Sequence, residues 1–512
     1  MIRSGDFEAC RLTQGNSLPS GFGSYESLAA RSRMILFSRR FLTLACFLFI
    51  GVTSRPSASG ENSLVLRGGQ LFDSVKAELR AVGAVIIEGE RIKELVPPGQ
   101  RVSIPRGARV IDTRGKFLIP GLIDAHVHLV HILNSARLTG DEVLPLYLAN
   151  GVTALRDVGD EIVAESLVAK HSQNHPDRAP RVFLGSPLVD ADPPYHKLIG
   201  RAVSEPDQVP AFVDDMLKWG VQTFKIYVGT ERPVGRRLIK EAHRSGKWVT
   251  GHLGKYRAQD AVEDGIDSLE HISSVFDFVL PEDRPVMPPL GERGRYSPQE
   301  LADLRHQVQV TEASADMAHP RVQNLIERLV QRKVSVDPTL VVFRNWMLLR
   351  DLPEVYENPD VTAMPRRLQQ TWNESSRTAA PTPESLPLRR KIFRKHQELT
   401  GRLFRSGVSL LVGTDAPVAF CPPGFAIHQE LALLVESGVS PAAALQMATL
   451  NNARALQQDQ RLGSIEAGKL ADLVILGANP LDEIGNSRKI RSIIRGGKVC
   501  DRQALLKLVS AQ

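Results

Sequence analysis

Between residues 117 and 416 eight short apolar runs alternate with helical stretches, and that alternation constrains the fold more than any other feature of the chain. The runs are FLIPGLIDAHV, TALRDVG, RVFLGS, TFKIYV, WVTGHL, DSLEHIS, VSVDPTLVV and SLLVGTDA, and helical patterns such as VPAFVDDMLKWG, RRLIKEAHRSG and AQDAVEDG lie between most of them. Parallel strands need a crossover connection, usually a helix. Eight such units predict an α/β chain folded as a (β/α)8 TIM barrel. The ends read differently. From about Ser63 to Lys116 the chain is short strands and turns punctuated by Gly and Pro, and a similar signature returns in GSIEAGKLADLVILGANP and RSIIRGGKVC. Two β-rich ends around a βα middle predict a small β-sandwich built from both termini.

The expected boundaries are residues 60–118 and 461–512 for the two parts of the sandwich and 119–460 for the barrel. The rhythm breaks near 275–322 and 351–389, which are rich in Pro, Arg and Glu and too long for simple connections. They read as insertions covering the barrel mouth, and PEDRPVMPPLGERGRYSP fits a lid and a plain surface loop equally. At the start, Arg39 and Arg40 precede FLTLACFLFIGV and then the small, polar TSRPSASGENS. That is a signal peptide with cleavage near Ala58 to Gly60, so residues 1–59 read as the signal peptide and a preceding segment. Met34 is an alternative start to Met1, and SRRFL is an imperfect twin-arginine pattern. The expectation is an exported protein, periplasmic or secreted; the alternative is an uncleaved anchor through residues 41–52.

Composition excludes several classes. The net charge of +7 comes from scattered Lys and Arg with no long basic block, which argues against a nucleic-acid partner. Of the four cysteines, Cys10 and Cys46 fall in the segment expected to be removed, and Cys421 with Cys500 makes no disulfide framework. The expected partner is a small molecule or a short peptide, with no stable membrane span after signal cleavage; a homo-oligomer is left open.

Polar residues end the apolar runs. His126 and His128 lie two apart on a strand and so share a face, which in a barrel is the interior. His252, His271 and Asp415 end later strands, so all five side chains converge on one rim, where imidazoles and a carboxylate can hold metal. Lys225 is the odd member. Buried on an apolar strand, its amine loses its charge readily. A neutral amine can add carbon dioxide and become a carbamate with two oxygens; a Lys paired with a nearby carboxylate is the other reading, and chemistry alone leaves both open. Tyr227 sits on the same strand face as Lys225 and could offer a donor to the site, although core packing is its plainer role. His428 is expected to steady the Asp415 loop, and Arg156 to pair with Asp157. His131, His306, His319 and His396 are given no role, His131 being read as a surface-loop residue.

These residues together resemble the amidohydrolase superfamily, in its imidazolonepropionase-like and Xaa-Pro or Xaa-Arg dipeptidase-like branch. FLIPGLIDAHVHL is similar to that family's first barrel strand, GVTALRDVG to the second, FKIYV, GHLG and LEHIS to the fourth, fifth and sixth, and GTDAP to the eighth. HQELALLVESGVSPAAALQMATLNNARAL and LGSIEAGKLADLVIL are similar to its closing signature, and the resemblance spans about Ser63 to Arg502. It implies two divalent metal ions, usually zinc. His126, His128 and Asp415 would hold one ion and His252 and His271 the other. Lys225, carboxylated by carbon dioxide, would bridge them together with a hydroxide. Asp415 would move the proton. The implied activity is hydrolysis of an amide, a dipeptide or an N-acyl amino acid. A lactonase or an esterase of carbamate or phosphate esters is the alternative on the same site, and an inactive barrel that binds a partner is the non-enzymatic reading. The chain departs from the family after the third strand, where a Gly- and His-rich loop is replaced by PLVDADPPYHKLIG; Tyr195 and His196 stand there as candidate substrate contacts.

Overall fold

The computed structural model describes residues 63–288, 290–349, 358–379, 384–418 and 420–510. The expected signal peptide and the alternative anchor lie outside the described residues. No described helix is long and apolar enough to cross a membrane.

Strands Leu122–Val127, Val152–Asp157 and Arg181–Phe183 form one parallel sheet, and Thr223–Ile226, Trp248–Gly251, Ser268–Glu270 and Ser335–Asp337 run in parallel in another. Single parallel bridges, Gly185 to Thr223, Val336 to Leu410 and Val127 to Ala416, carry the order from the third strand to the fourth and from the seventh through segment 410–416 back to the first. This is the expected TIM barrel. Its strands are buried on both faces, as parallel strands with helices outside must be: all six residues of Leu122–Val127 are buried. The helices around them are one-sided. Arg232–Arg244 buries Val234, Leu238, Ile239 and Ala242, and Pro320–Arg332 buries Val322, Leu325, Ile326 and Leu329, the spacing of a single helical face.

Three details differ from the sequence expectation. FLIPGLIDAHV is two strands, not one: Phe117–Pro120 belongs to the sandwich and Leu122–Val127 to the barrel. The break falls at Gly121, where a Cβ would lie 2.0 Å from Thr153 Oγ1, so only glycine lets the chain pass. The eighth run, SLLVGTDA, is not a regular strand. Asp415 takes φ 57°, which leaves the β region, and the segment is held by hydrogen bonds from Ala125 N to Val412 O and from His128 N to Ala416 O, both 2.9 Å. Between the third and fourth strands an extra parallel pair forms, Leu188–Asp190 with Gly200–Ala202.

The sandwich takes strands from both ends. One sheet runs Arg91–Val96, Ala84–Glu88, Ser63–Arg67, Arg109–Asp112; the other runs Lys498–Cys500, Ile490–Arg495, Leu473–Leu476, Phe117–Pro120, Gln70–Asp73, Glu78–Ala81. Leu66, Ile87, Leu118, Leu473, Ile475 and Ile494 meet in its core.

The two irregular stretches behave differently. No described residue of 277–322 lines the central cavity. Helix Pro298–Ala313, within that stretch, packs instead along helix Leu386–Arg405 on the flank. The described part of 351–389 does reach the mouth: Trp372 Nε1 donates to Pro417 O at 2.6 Å, and Arg367 donates to Arg137 O at 2.7 Å.

Candidate metal centre

The carboxyl ends of the barrel strands surround a cavity that opens to solvent. His126, His128, Lys225, His252, His271 and Asp415 all line it, with Tyr227 and His196. The ring of His126 lies 4.8 Å from that of His271, and His271 lies 4.5 Å from His252. His126 Nε2 and His128 Nε2 each approach Asp415 Oδ1 at 3.4 Å. Ligand atoms of His126, His271 and Asp415 lie within 4.8 Å of one another.

Three imidazoles have their outer nitrogens engaged. His126 Nδ1 meets Glu270 Oε2 at 2.7 Å, His128 Nδ1 meets Gly159 O at 3.0 Å, and His271 Nδ1 meets Thr339 Oγ1 at 2.7 Å. A carbonyl or carboxylate accepts only from N–H, so Nδ1 of His126 and His128 carries the proton and Nε2 presents a lone pair inward. His126 Nε2 and Lys225 Nζ are buried with no hydrogen-bond partner among the described residues. Burial, with Lys225 adding to it, lowers the His126 pKa to about 4, and burial lowers His252 to about 3. Burial also pushes the Lys225 amine down to about 8, against the pull of Glu270 and Asp415. Asp415 is pushed up by burial, yet His126 and His128 hold it below the usual carboxylate range. The set offers neutral imidazoles, an ionised carboxylate and a readily deprotonated amine, which are donors suited to a divalent ion such as zinc.

Sequence reasoning missed the groups that hold this set in place. Glu270 is fully buried; it accepts from His126 and from Arg156 Nη2 at 2.8 Å, and also from Thr250 Oγ1. Arg156 therefore pairs with Glu270 and not with Asp157. Asp157 instead accepts from the backbone of Leu129 and Gly159, and Asp160 from Val130 and His131, which fastens the loop after the first strand. Strict alternation would have sent Glu270 away from His271, but His271 takes φ 66°, and the turn there breaks the alternation. Asp337, ending the seventh run in VSVD, was a readable signal: it accepts from Gly413 N at 2.9 Å.

Of the remaining histidines, His131 is not a surface residue but lines the cavity, its ring 4.5 Å from His196. His196 Nε2 lies 3.0 Å from Tyr227 OH, and Tyr227 lines the cavity; Tyr195 meets His196 edge to face, ring centroids 4.7 Å apart, without lining it. The His428 ring bonds elsewhere than to the Asp415 loop: it joins Ser487 Oγ at 2.9 Å and Asn150 O at 3.1 Å.

The profile of the amidohydrolase family matches residues 117–500. This chain belongs to the amidohydrolase family. It is 27% identical over 427 residues to the imidazolonepropionase of Aromatoleum aromaticum (strain DSM 19018 / LMG 30748 / EbN1), across 78% of this chain and 89% of that one. Its structure is similar to a Xaa-Pro dipeptidase with bound methionine in the active site (TM-score 0.62, 19% identity, 86% of this chain and 100% of that one). It is also similar to bottromycin amidohydrolase (TM-score 0.67, 24% identity, 89% of this chain and 90% of that one). At such identities these two structures speak for the fold. The family is one of hydrolytic enzymes, and this amidohydrolase is an enzyme of that kind.

One wall of the amidohydrolase cavity hangs on another buried acid. Glu430 accepts from Leu340 N at 2.9 Å and Val341 N at 2.6 Å, anchoring the start of helix Leu340–Leu348, which supplies Val342 and Phe343 to the cavity. Burial pushes its pKa from 4.5 up to about 8, with those two donors pulling the other way. Between these values the folded chain holds a proton there that the unfolded chain has lost, so this group makes stability fall as pH rises from about 4.5 to about 8. Glu430→Gln removes that contribution. Denaturant midpoints measured across the range should show a flatter pH dependence in the variant, and an identical slope would contradict a protonated Glu430.

Proposed function

We propose that this amidohydrolase hydrolyses a carbon–nitrogen bond, using two divalent ions, zinc the expected metal, held by His126, His128, His252, His271 and Asp415 and bridged by a carboxylated Lys225. The observation that carries this reading is the Lys225 amine: buried, without a hydrogen-bond partner among the described residues, and lining one cavity with four imidazoles, of which His126 and His128 have Nδ1 engaged and Nε2 free for a ligand. When bound, the ions supply a water of near-neutral pKa and polarise the scissile carbonyl.

The side chains divide the remaining work. The Lys225 ammonium first loses a proton to water; the neutral nitrogen then attacks carbon dioxide, an N–C bond forms, the nitrogen gives up a second proton to water, and an anion with two oxygens stands in place of the original cation. That exchange removes the repulsion a lysine would exert on metal. Asp415 takes a proton from the attacking water and passes it to the leaving nitrogen. Tyr227 can donate its hydroxyl proton to the developing oxyanion when His196 donates to the phenol oxygen. Arg156 and Glu270 fix His126 in the tautomer it needs.

The test uses the zinc-loaded full chain and a panel of neutral amides, dipeptides, N-acyl amino acids, lactones and aryl esters, with Asp415→Asn as control. Amide turnover should fall about a hundred- to ten-thousand-fold in Asp415→Asn while bound zinc is retained. Turnover of lactones or esters alone would overturn the amide reading, and full activity in Asp415→Asn would overturn the proton-transfer role. For the bridge, Lys225→Ala should retain at most one tightly held zinc per chain by elemental analysis, since the one other carboxylate among the described lining residues, Asp415, is already assigned as a ligand of one ion. Two tightly held ions in that variant would contradict it.

A further inference from the structure

The eighth barrel segment is not a regular strand, so its buried backbone donors are met by side chains as well as by the first strand. Val412 N donates to Asn452 Oδ1 at 3.0 Å and Gly413 N to Asp337 Oδ1 at 2.9 Å. Asp415 N donates to His126 O at 2.7 Å. Thr414 is held twice by one carboxylate: its N–H donates to Asp124 Oδ1 at 3.1 Å and its hydroxyl to Asp124 Oδ2 at 2.7 Å. The same hydroxyl oxygen accepts from Ala416 N at 3.2 Å. A hydroxyl has one proton to give and lone pairs to receive with, and here both are engaged. The chain from Asp124 through Thr414 Oγ1 to Ala416 N therefore grips the backbone on either side of Asp415, which sits at φ 57°. Asp124 and Thr414 are fully buried. Asp124 lies on strand Leu122–Val127 with His126, and its Oδ1 also accepts from His126 N at 3.3 Å.

We propose that Asp124 is a positioning residue: acting through the Thr414 hydroxyl, it sets where the Asp415 carboxylate stands relative to His126 and His128. The inference rests on the reading of Asp415 as a metal ligand and proton carrier, and it names what places that side chain. A residue other than glycine stays at positive φ only where its surroundings impose it. The side chain leaves the backbone at that residue, so a turn of either flanking peptide swings the carboxylate. Asp415 Oδ1 now stands 3.4 Å from His126 Nε2 and 3.4 Å from His128 Nε2. Asn452 and Asp337 secure the residues ahead of Thr414, and the Thr414 hydroxyl reaches past Asp415 to Ala416. Because Asp124 also bonds the backbone of His126, one connected unit sets the groups proposed to hold one ion.

Two substitutions in the full chain separate the hydroxyl from the rest of the side chain. Thr414→Val keeps the shape and removes the hydroxyl; Thr414→Ser keeps the hydroxyl and loses a methyl. Crystal structures of both variants without metal are compared with the wild type, and cobalt(II) is titrated into each metal-free protein. In Thr414→Val the Asp415 carboxylate should leave its place beside His126 and His128, and cobalt should bind about ten- to a hundredfold more weakly. In Thr414→Ser both should match the wild type. If Thr414→Val does not fold, Thr414→Ala removes the same hydroxyl without pressing a methyl on Asp124 and is read in the same way. An unmoved Asp415 in the variant without the hydroxyl overturns the proposal, and so does a displacement shared by Thr414→Ser. Asp124→Asn added to Thr414→Val should weaken cobalt no further, because the path is already cut. A further loss would show Asp124 acting by another route and overturn the relay. A displaced Asp415 with unchanged cobalt affinity upholds the positioning and counts against Asp415 as a ligand. If the wild type binds no cobalt, the metal reading fails, and the crystal comparison still decides the positioning.

Discussion

A lysine amine buried without a hydrogen-bond partner among the described residues is the constraint around which the barrel mouth is organised. Taking an ammonium out of water costs several kcal/mol unless its charge is paired or given up. Here Lys225 lies among Glu270, Asp415 and Arg156, whose charges partly cancel, and burial brings its pKa down toward neutrality. The same burial strips His126, His252 and His271 of their protons. One physical effect therefore prepares most of the donor set: His126, His252 and His271 as neutral imidazoles, and an amine that gives up its proton easily.

That set is aimed by a layer of groups behind it. Glu270 touches His126, Arg156 and Thr250 at once, linking the first, second, fifth and sixth strands through one carboxylate. His271, Thr339 and Asp415 all adopt positive φ at the ends of the sixth, seventh and eighth segments. Such backbone costs about 1–3 kcal/mol at each residue and persists only where packing over-determines it. Gly413 shows how tight that packing is: a Cβ there would lie 2.1 Å from Asp337 Oδ2. The strain has a visible return, because it turns His271 and Asp415 into the cavity where straight strands would alternate.

Much of this was legible in the sequence because parallel barrel strands leave a simple trace. Each is apolar on both faces, short, and ended by a residue at the active rim, so His126, His128, Lys225, His252, His271 and Asp415 stood out by position alone. The sandwich was legible from its β-rich ends. What escaped had specific causes. Gly121 splits one apolar run between two domains because of a contact with Thr153, 32 residues further along, that no local pattern announces. Glu270 was hidden by the kink at His271. His131 looked like a loop residue because its place in the cavity depends on the Tyr195–His196 loop folding back toward it. Positive φ and long-range contact do not show in hydrophobic periodicity, and both concentrate at this rim.

The central claim is that the strand ends hold a pair of ions bridged through a modified Lys225. The most direct measurement is a crystal structure of the zinc-loaded protein with anomalous data collected at the zinc edge. The account predicts two anomalous peaks in the cavity, within bonding distance of the four histidines and Asp415, with density extending from Lys225 Nζ to both. A single peak, or two peaks beside an unmodified lysine, would contradict it.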